Sequence, residues 1–305
     1  MWAIHADAGR KIIAGAFPLL QPQNLLKPKK NKHGGLDGAL ARLGSLEVRL
    51  ANGKKEIRKA QRLRFKVFFR KGGAIPDAKA AITRRDADRF DKFCDHLIVI
   101  DHAARTRFGK IKPKVVGAYR LLRDDVAQKK SGFYSAGEYD IAPLLARHGG
   151  TRFLELGRSC VLEQYRSKRT IELLWRGILA YVRHHRIDAM IGCASLEGAN
   201  PLAHAAALSF LAHHARADED WRVSARREMH VPMEMLAKEA VDPRKAMSAL
   251  PPLIKGYLRC GAKFGDGAVV DRKFNTTDVF VVLRVAEIEA RYLDHFGPAE
   301  ARDAA

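Results

Sequence analysis

The chain has 305 residues, 47% of them hydrophobic, and a formal net charge of +21. This is enough apolar material for one large domain or two small ones with a true core, and the surplus charge seeks a polyanion: nucleic acid, an anionic membrane face or an acidic protein. Cys94, Cys160, Cys193 and Cys260 form no CxxC pair, no run approaches the ~18 apolar residues of a membrane span, and the basic N-terminus has no clear h-region or cleavage site, so a disulfide framework, a spanning helix and a secretory signal are all excluded as expectations in favour of a reducing cytoplasm.

Residues 1–44 read as a basic extension. Pro18, Pro22 and Pro28 interrupt any long element, and Lys27, Lys29, Lys30 and Lys32 run into Gly34 and Gly35. This segment is a solvated tail or a basic foot on anionic lipid. One ordered domain is expected over 45–297, with 298–305 as a tail. Residues 46–50 alternate as a strand. Over 56–70, Ile57, Ala60, Leu63, Val67 and Phe68 fall at helical spacing, and Gly72, Gly73 and Pro76 stop the helix. Residues 97–100, 115–122 and 153–162 read as buried strands. Residues 170–186 form a long amphipathic helix through Ile171, Leu174, Trp175, Ile178 and Tyr181. Residues 189–195 return to strand and 203–213 to helix. Lys255, Tyr257 and Arg259 alternate as in a strand. Residues 279–285 close the strands, before a helix over 287–296. Helices set between strands imply a mixed α/β fold with a sheet covered on both faces. No internal repeat is visible.

Several segments occur in a specific order. They are Phe90-Asp91-Lys92-Phe93-Cys94-Asp95-His96-Leu97, Val115-Val116-Gly117-Ala118-Tyr119-Arg120-Leu121-Leu122 and Leu154-Glu155-Leu156-Gly157-Arg158-Ser159-Cys160-Val161. Then come Leu173-Leu174-Trp175-Arg176-Gly177-Ile178, Ile191-Gly192-Cys193-Ala194-Ser195 and Leu253-Ile254-Lys255-Gly256-Tyr257-Leu258-Arg259. Gly265-Asp266-Gly267-Ala268-Val269-Val270-Asp271 and Phe274-Asn275-Thr276-Thr277-Asp278-Val279 complete the set. Together, over about 45–297, they resemble the ornithine N-acyltransferases, some of them labelled hemolysin-like. The resemblance implies an α/β (α+β) GNAT-like acyltransferase fold, related to that of the autoinducer synthases. Its central mixed β-sheet is splayed to admit a pantetheine arm and is flanked by helices. The implied activity is that of an L-ornithine N-alpha-acyltransferase. It transfers a 3-hydroxyacyl group from acyl carrier protein to the α-amine of ornithine, giving lyso-ornithine lipid in the first step of ornithine-lipid synthesis. The implied partners are acyl carrier protein and L-ornithine, with an anionic membrane surface as a further one and no nucleic acid. No cofactor is expected to be bound permanently, since the donor rides on the phosphopantetheine of acyl carrier protein. The expected location is the cytoplasm, peripheral on the inner face of the membrane.

Aminolysis of a thioester needs a group that relays a proton from the substrate ammonium, and preorganised donors for the oxyanion. Glu155 is the first candidate base, because an unpaired carboxylate in an otherwise apolar strand would be costly. Autoinducer synthases carry a similar Glu-x-x-Arg, which pairs Glu155 with Arg158. Strict alternation separates the two, and a bulge at Gly157 would bring them together. The other account of the pair is a structural ion pair. Asp88, Asp91 and Asp95, spaced three and four apart, share a face if helical. They hold the substrate's ammonium groups, fix Arg64 and Arg120 in the site, or form a solvated acidic face. Arg166, Lys168 and Arg169 precede the long helix, where ordinary GNAT enzymes place a glycine-rich pyrophosphate turn. Arg169 and Ile171 stand where that turn wants small residues, which disfavours coenzyme A and suits phosphopantetheine on an acidic carrier. Lys59 and Arg62, on the polar side of the first helix, dock that carrier or are merely solvated. Ser195 and Asn200 follow a strand at an edge where ligands often sit.

Other signals are discounted. His96 and Asp101 have the spacing of a glycerolipid-acyltransferase pair, but a strand between them sends the side chains to opposite faces. His184-His185 and His213-His214 lack the partners of a metal site, and none is expected. Cys160 reads as inert packing. The alternatives are another carrier-protein-dependent N-acyltransferase resembling the autoinducer synthases, a basic nucleic-acid-binding protein, and a lytic protein. No RNP-type aromatic motif or zinc finger supports the second.

Overall fold

Alternating apolar residues build a sheet through most of the described chain, residues 36–288 of a computed structural model. Its strands are β1 (Ala41–Leu43), β2 (Leu46–Leu50), β3 (Asp95–Asp101), β4 (Lys114–Arg123), β5 (Tyr139–Asp140), β6 (Phe153–Val161), β7 (Ala189–Glu197), β8 (Ser224–Ala225), β9 (Lys263–Asp271) and β10 (Thr276–Arg284). They lie in the order β1-β2-β3-β4-β6-β7-β10-β9-β8-β5. Most neighbours are antiparallel, while β6–β7 and β8–β9 are parallel. The sheet is therefore mixed, as the resemblance implied. The helices are α1 (Gly53–Phe68), α2 (Ala78–Thr83), α3 (Asp124–Gln128), α4 (Ala142–Arg147), α5 (Lys168–His185), α6 (Ala205–His214), α7 (Pro243–Ala249) and α8 (Pro252–Arg259).

The two long helices cover opposite faces. Neighbouring residues of a strand point to opposite sides, and β3 shows which helix takes each side. Leu97 packs against α5, where a Cβ on Gly177 would meet Val48 at 2.7 Å and Leu97 at 3.1 Å. His96 instead meets the Asp91 carbonyl, beside Arg64 of α1. Helix α5 forms where Ser167 caps the Thr170 N–H, buries Leu173, Leu174, Ile178 and Tyr181, and ends as Arg186 turns left-handed at φ 53°. As the crossover of the parallel β6–β7 pair, it sets the position of both strands.

Two expectations need correction, a third needs only a shifted start, and one strand was not foreseen. The sheet starts before residue 45: β1 pairs with β2, and Leu36, Leu40 and Ala41 are buried. The short apolar run 39–43 was too brief to stand out from the basic stretch before it. Lys255, Tyr257 and Arg259 belong to α8, not a strand, since Pro252 opens a helix that buries Ile254 and Tyr257 one turn apart. The helix expected over 203–213 is a 3-10 turn, Pro201–His204, followed by α6. Strand β9 escaped notice because Gly265 and Gly267 interrupt its apolar pattern. The basic extension up to residue 35, residues 289–296 of the helix expected over 287–296 and the tail 298–305 lie outside the described residues. No helix among the described residues is long and apolar enough to cross a membrane.

Candidate active site

A fork opens between β6 and β7. They pair only at Phe153↔Ala189, Leu154↔Met190 and Glu155↔Ile191. Beyond that point β6 follows β4 and β7 follows β10. Gly192 stands at the branch, where a Cβ would lie 2.4 Å from the Leu156 carbonyl oxygen. A narrow apolar cavity occupies the fork, lined by Leu156, Gly192, Cys193, Tyr257 and Val281.

Beside the fork lies a buried ionic network. The Arg64 Nε donates to Asp86 Oδ2 at 2.9 Å, and its two terminal nitrogens donate to the two Asp91 oxygens at 2.8 Å each. Arg64 is 1% exposed. Against the burial that would raise it, this guanidinium holds the Asp91 carboxyl well below the usual carboxylate range. Arg120 donates to both Asp88 oxygens, at 2.7 and 2.6 Å. Arg158 lies 3.4 Å from both Asp86 and Asp88, and its guanidinium sits between the rings of Tyr134 and Phe274, at 4.7 and 4.4 Å. The bulge is present: the register skips between Ala118↔Cys160 and Arg120↔Gly157, and Arg158 adopts φ 52°. It turns Arg158 toward Tyr134, whose hydroxyl accepts from it at 3.3 Å.

Glu155 holds the same turn from beneath, but makes no ion pair with Arg158. It accepts hydrogen bonds from Tyr134 N (2.8 Å), Ser135 N (2.7 Å) and Ser135 Oγ (2.5 Å). Burial raises its pKa against those bonds. It is 4% exposed and lines neither the fork nor the cleft described below. With its oxygens so engaged, Glu155 anchors the turn that carries Tyr134.

The helical face expected of Asp88, Asp91 and Asp95 is absent. Asp88 caps the 3-10 turn Arg89–Lys92, Asp91 lies in that turn, and Asp95 begins β3, where it accepts from Tyr181 at 2.7 Å and faces Arg123. Arg64, Asp88, Asp91, Arg120 and Arg158 thus come together as the floor under Phe90 and Tyr134. Asn200 only caps an exposed turn, accepting from Leu202 N. Arg166, Lys168 and Arg169 are exposed at the N-terminus of α5, and Lys59 and Arg62 are exposed on α1. His96 and Asp101 do not meet: burial pushes His96 down to about 4, and Asp101 accepts from Tyr165 at 2.8 Å. Burial also pushes the Cys160 thiol up to about 12, consistent with packing.

Above the floor lies a cleft of about 650 Å³, lined by Phe90, Tyr134, Glu138 and Asp271, with Arg89 and Arg272 also on its walls. Carboxylate oxygens of Glu138, Asp271 and Asp278 lie within 4.8 Å of one another. Asp278 stands opposite Ser195 in the β7–β10 register. Burial, then the charge of Asp278, pushes Glu138 up to about 7. Burial, reinforced by Asp271 and opposed by a hydrogen bond from Ser195, pushes Asp278 up to about 6. The Cys193 thiol, kept protonated by burial and by Glu138, donates to Glu138 Oε2 at 3.4 Å. Cys193 also lines the fork, so it joins the two cavities. The sequence reading missed this acidic trio. Asp278 sits in an apolar strand just as Glu155 does and deserved the same suspicion, whereas Glu138 lies on a loop with no pattern to reveal it.

A parallel strand pair joined by a crossover helix and forked beyond its third register pair is the arrangement of a GNAT-type acyltransferase. The family model described as "Acetyltransferase (GNAT) domain" matches residues 63–176. The chain is 50% identical over 273 residues to an L-ornithine N(alpha)-acyltransferase of Agrobacterium fabrum, covering 90% of this chain and 92% of that one. It is 52% identical over 258 residues to the enzyme of the same name from Brucella abortus, covering 85% and 91%. A looser likeness in shape, TM-score 0.46 at 12% identity, links it to an N-acyl amino acid synthase from uncultured soil microbes, over 81% of this chain and 94% of that one. The chain is an N-acyltransferase and belongs to the L-ornithine N(alpha)-acyltransferase family.

Proposed function

We propose that this enzyme transfers a 3-hydroxyacyl group from the phosphopantetheine of acyl carrier protein to the α-amine of L-ornithine, giving lyso-ornithine lipid. The names of its relatives bring ornithine to the reading. The observation that carries the chemistry is the meeting of fork and carboxylate cleft at Cys193 and Glu138. The pantetheine arm enters between β6 and β7, and the amino acid enters the cleft, with Arg89 or Arg272 receiving its carboxylate. Glu138 accepts the proton of the α-ammonium, a role suited to a carboxyl that titrates near neutrality. The freed nitrogen attacks the thioester carbonyl. Backbone N–H groups along the separated strand edges stabilise the oxyanion. The C–N bond forms, the C–S bond breaks, and the pantetheine thiolate leaves, taking up the second proton that the acylated nitrogen sheds. Arg166, Lys168 and Arg169 receive the acidic carrier and the phosphate of its arm.

The test is mass spectrometry of products from purified enzyme, L-ornithine and either a 3-hydroxyacyl carrier protein or the matching acyl-coenzyme A. A product acylated on the α-nitrogen, formed faster from the carrier protein, is expected. Preference for coenzyme A would remove the donor assignment, and failure to acylate ornithine would remove the acceptor.

A further inference from the structure

Asp278 is nine-tenths buried, and its Oδ1 has no hydrogen-bond partner among the described residues. Glu138 and Asp271 crowd the same point with like charge. Arg158, the nearby cation, is taken up by Asp86, Asp88 and the two rings that enclose it. A buried carboxylate oxygen without a donor is costly, and two like neighbours make it more so. The cleft opens onto this point through Glu138 and Asp271. Ser195 and Thr276 bond the Asp278 carboxyl and Arg158 acts on it only at a distance, so a cation arriving with the substrate would supply the donor that Oδ1 lacks and a direct countercharge. Glu138 reaches the fork through Cys193, whereas Asp271 and Asp278 lie on β9 and β10, the far side of β7 from β6. The reacting nitrogen therefore belongs beside Glu138, and a second positive group belongs beside the two aspartates.

We propose that Asp271 and Asp278 form a subsite for the side-chain ammonium of the amino-acid acceptor, so that the enzyme selects diamino acids. This rests on the function proposed above. An acceptor lacking the second amine leaves the carboxylates unpaired, which is the circumstance in which a polar site rejects an analogue strongly.

The experiment compares L-ornithine with L-norvaline, the same carbon chain without the terminal amine. Acylation kinetics and ligand-induced shifts in Tm are measured in wild type, Asp278→Asn and Asp271→Asn. Wild type should prefer ornithine by at least about 100-fold in kcat/KM, and ornithine alone should raise its Tm. Asp278→Asn should raise the KM for ornithine by about 30-fold or more, abolish the ornithine-specific Tm shift and affect norvaline far less, the change common to both acceptors being the lower pKa of Glu138 once the Asp278 charge is gone. Asp271→Asn keeps the oxygen that caps residues 273 and 274 and should show the same pattern, which covers misfolding of the buried variant. Equal loss with both acceptors, or wild type using norvaline as well as ornithine, would overturn the subsite. So would stabilisation by Mg²⁺ or Ca²⁺ with none by ornithine. Absence of any acylation by wild type would sink the function instead, and the Tm shifts would still decide the subsite.

Discussion

Arg64 is almost wholly buried and neutralises two carboxylates at once. Removing one partner of such a network leaves a charge stranded in low dielectric, a loss on the order of 3–5 kcal/mol. Arg64→Met should therefore lower the urea midpoint by that free energy divided by the m-value, with the m-value itself unchanged. Arg64→Lys should recover little, because a point charge cannot replace a fork that binds Asp86 and both oxygens of Asp91. Glu138 yields a pH prediction. Its pKa in the fold is raised to about 7, so the base becomes available as pH rises through that value. kcat/KM should climb through pH 7 and level off above it. Glu138→Gln should lose that limb and fall by about 10²–10⁴-fold. Stability runs in the opposite sense. The fold favours the protonated carboxyl, so this group's contribution is full below the ordinary carboxylate value and lost as pH rises through about 7. Glu138→Gln should therefore melt higher than wild type at pH 8 and lose that advantage near pH 4, as calorimetry would show.

At the scale of elements, the fork depends on a strand pair that stops early. Gly192 permits the close approach to Leu156, and the obstacle to any Cβ there is backbone, which cannot swing aside. Gly192→Ala should force β7 away from β6. The expected result is a loss of about 1–3 kcal/mol in stability and a larger fractional drop in activity with acyl donor than in binding of ornithine. Unchanged kinetics would mean that the branch point does not shape the donor channel. Helix α5 is held to the sheet by the same device, since Gly177 lets it sit directly on Val48 and Leu97. Its N-terminal turn is thereby fixed relative to the fork, and with it the exposed Arg166, Lys168 and Arg169.

Across the whole molecule, positive charge gathers at one end of the sheet. The Tyr165–Asp101 hydrogen bond ties the turn before α5 to the end of β3. Arg105, Arg107, Lys110, Lys112 and Lys114, exposed on the β3–β4 hairpin, therefore share an end with Arg166, Lys168 and Arg169. No acidic residue intervenes between Asp101 and Asp124. Such a face steers an acidic partner and weakens with salt. A triple variant, Arg166→Glu, Lys168→Glu and Arg169→Glu, should raise the KM for carrier protein by about tenfold or more while sparing kcat. Raising the salt should produce the same change in wild type. A KM indifferent to both would place the docking face elsewhere.

The ordered segments from Phe90 to Val279 sufficed for the family, and hydrophobic pattern sufficed for β2, β3, β4, β6, β7, α1 and α5, because each buries either one regular face or, as in β3 and β4, a continuous apolar run. Periodicity failed at β9 and α8, where glycines or a short length blurred the period. Charge in an apolar strand singled out Glu155 as a base or as an ion-pair partner of Arg158, and could not say which groups hold it. Only the tertiary structure decided that its partners are the backbone of Tyr134 and Ser135, that Asp88 and Asp91 serve arginines from α1, β4 and β6, and that Glu138, Asp271 and Asp278 meet although 140 positions separate the first from the last. Side-chain type and spacing report which face of an element a residue occupies. Which distant faces converge depends on strand order and register, and those are set by the packing of the whole sheet.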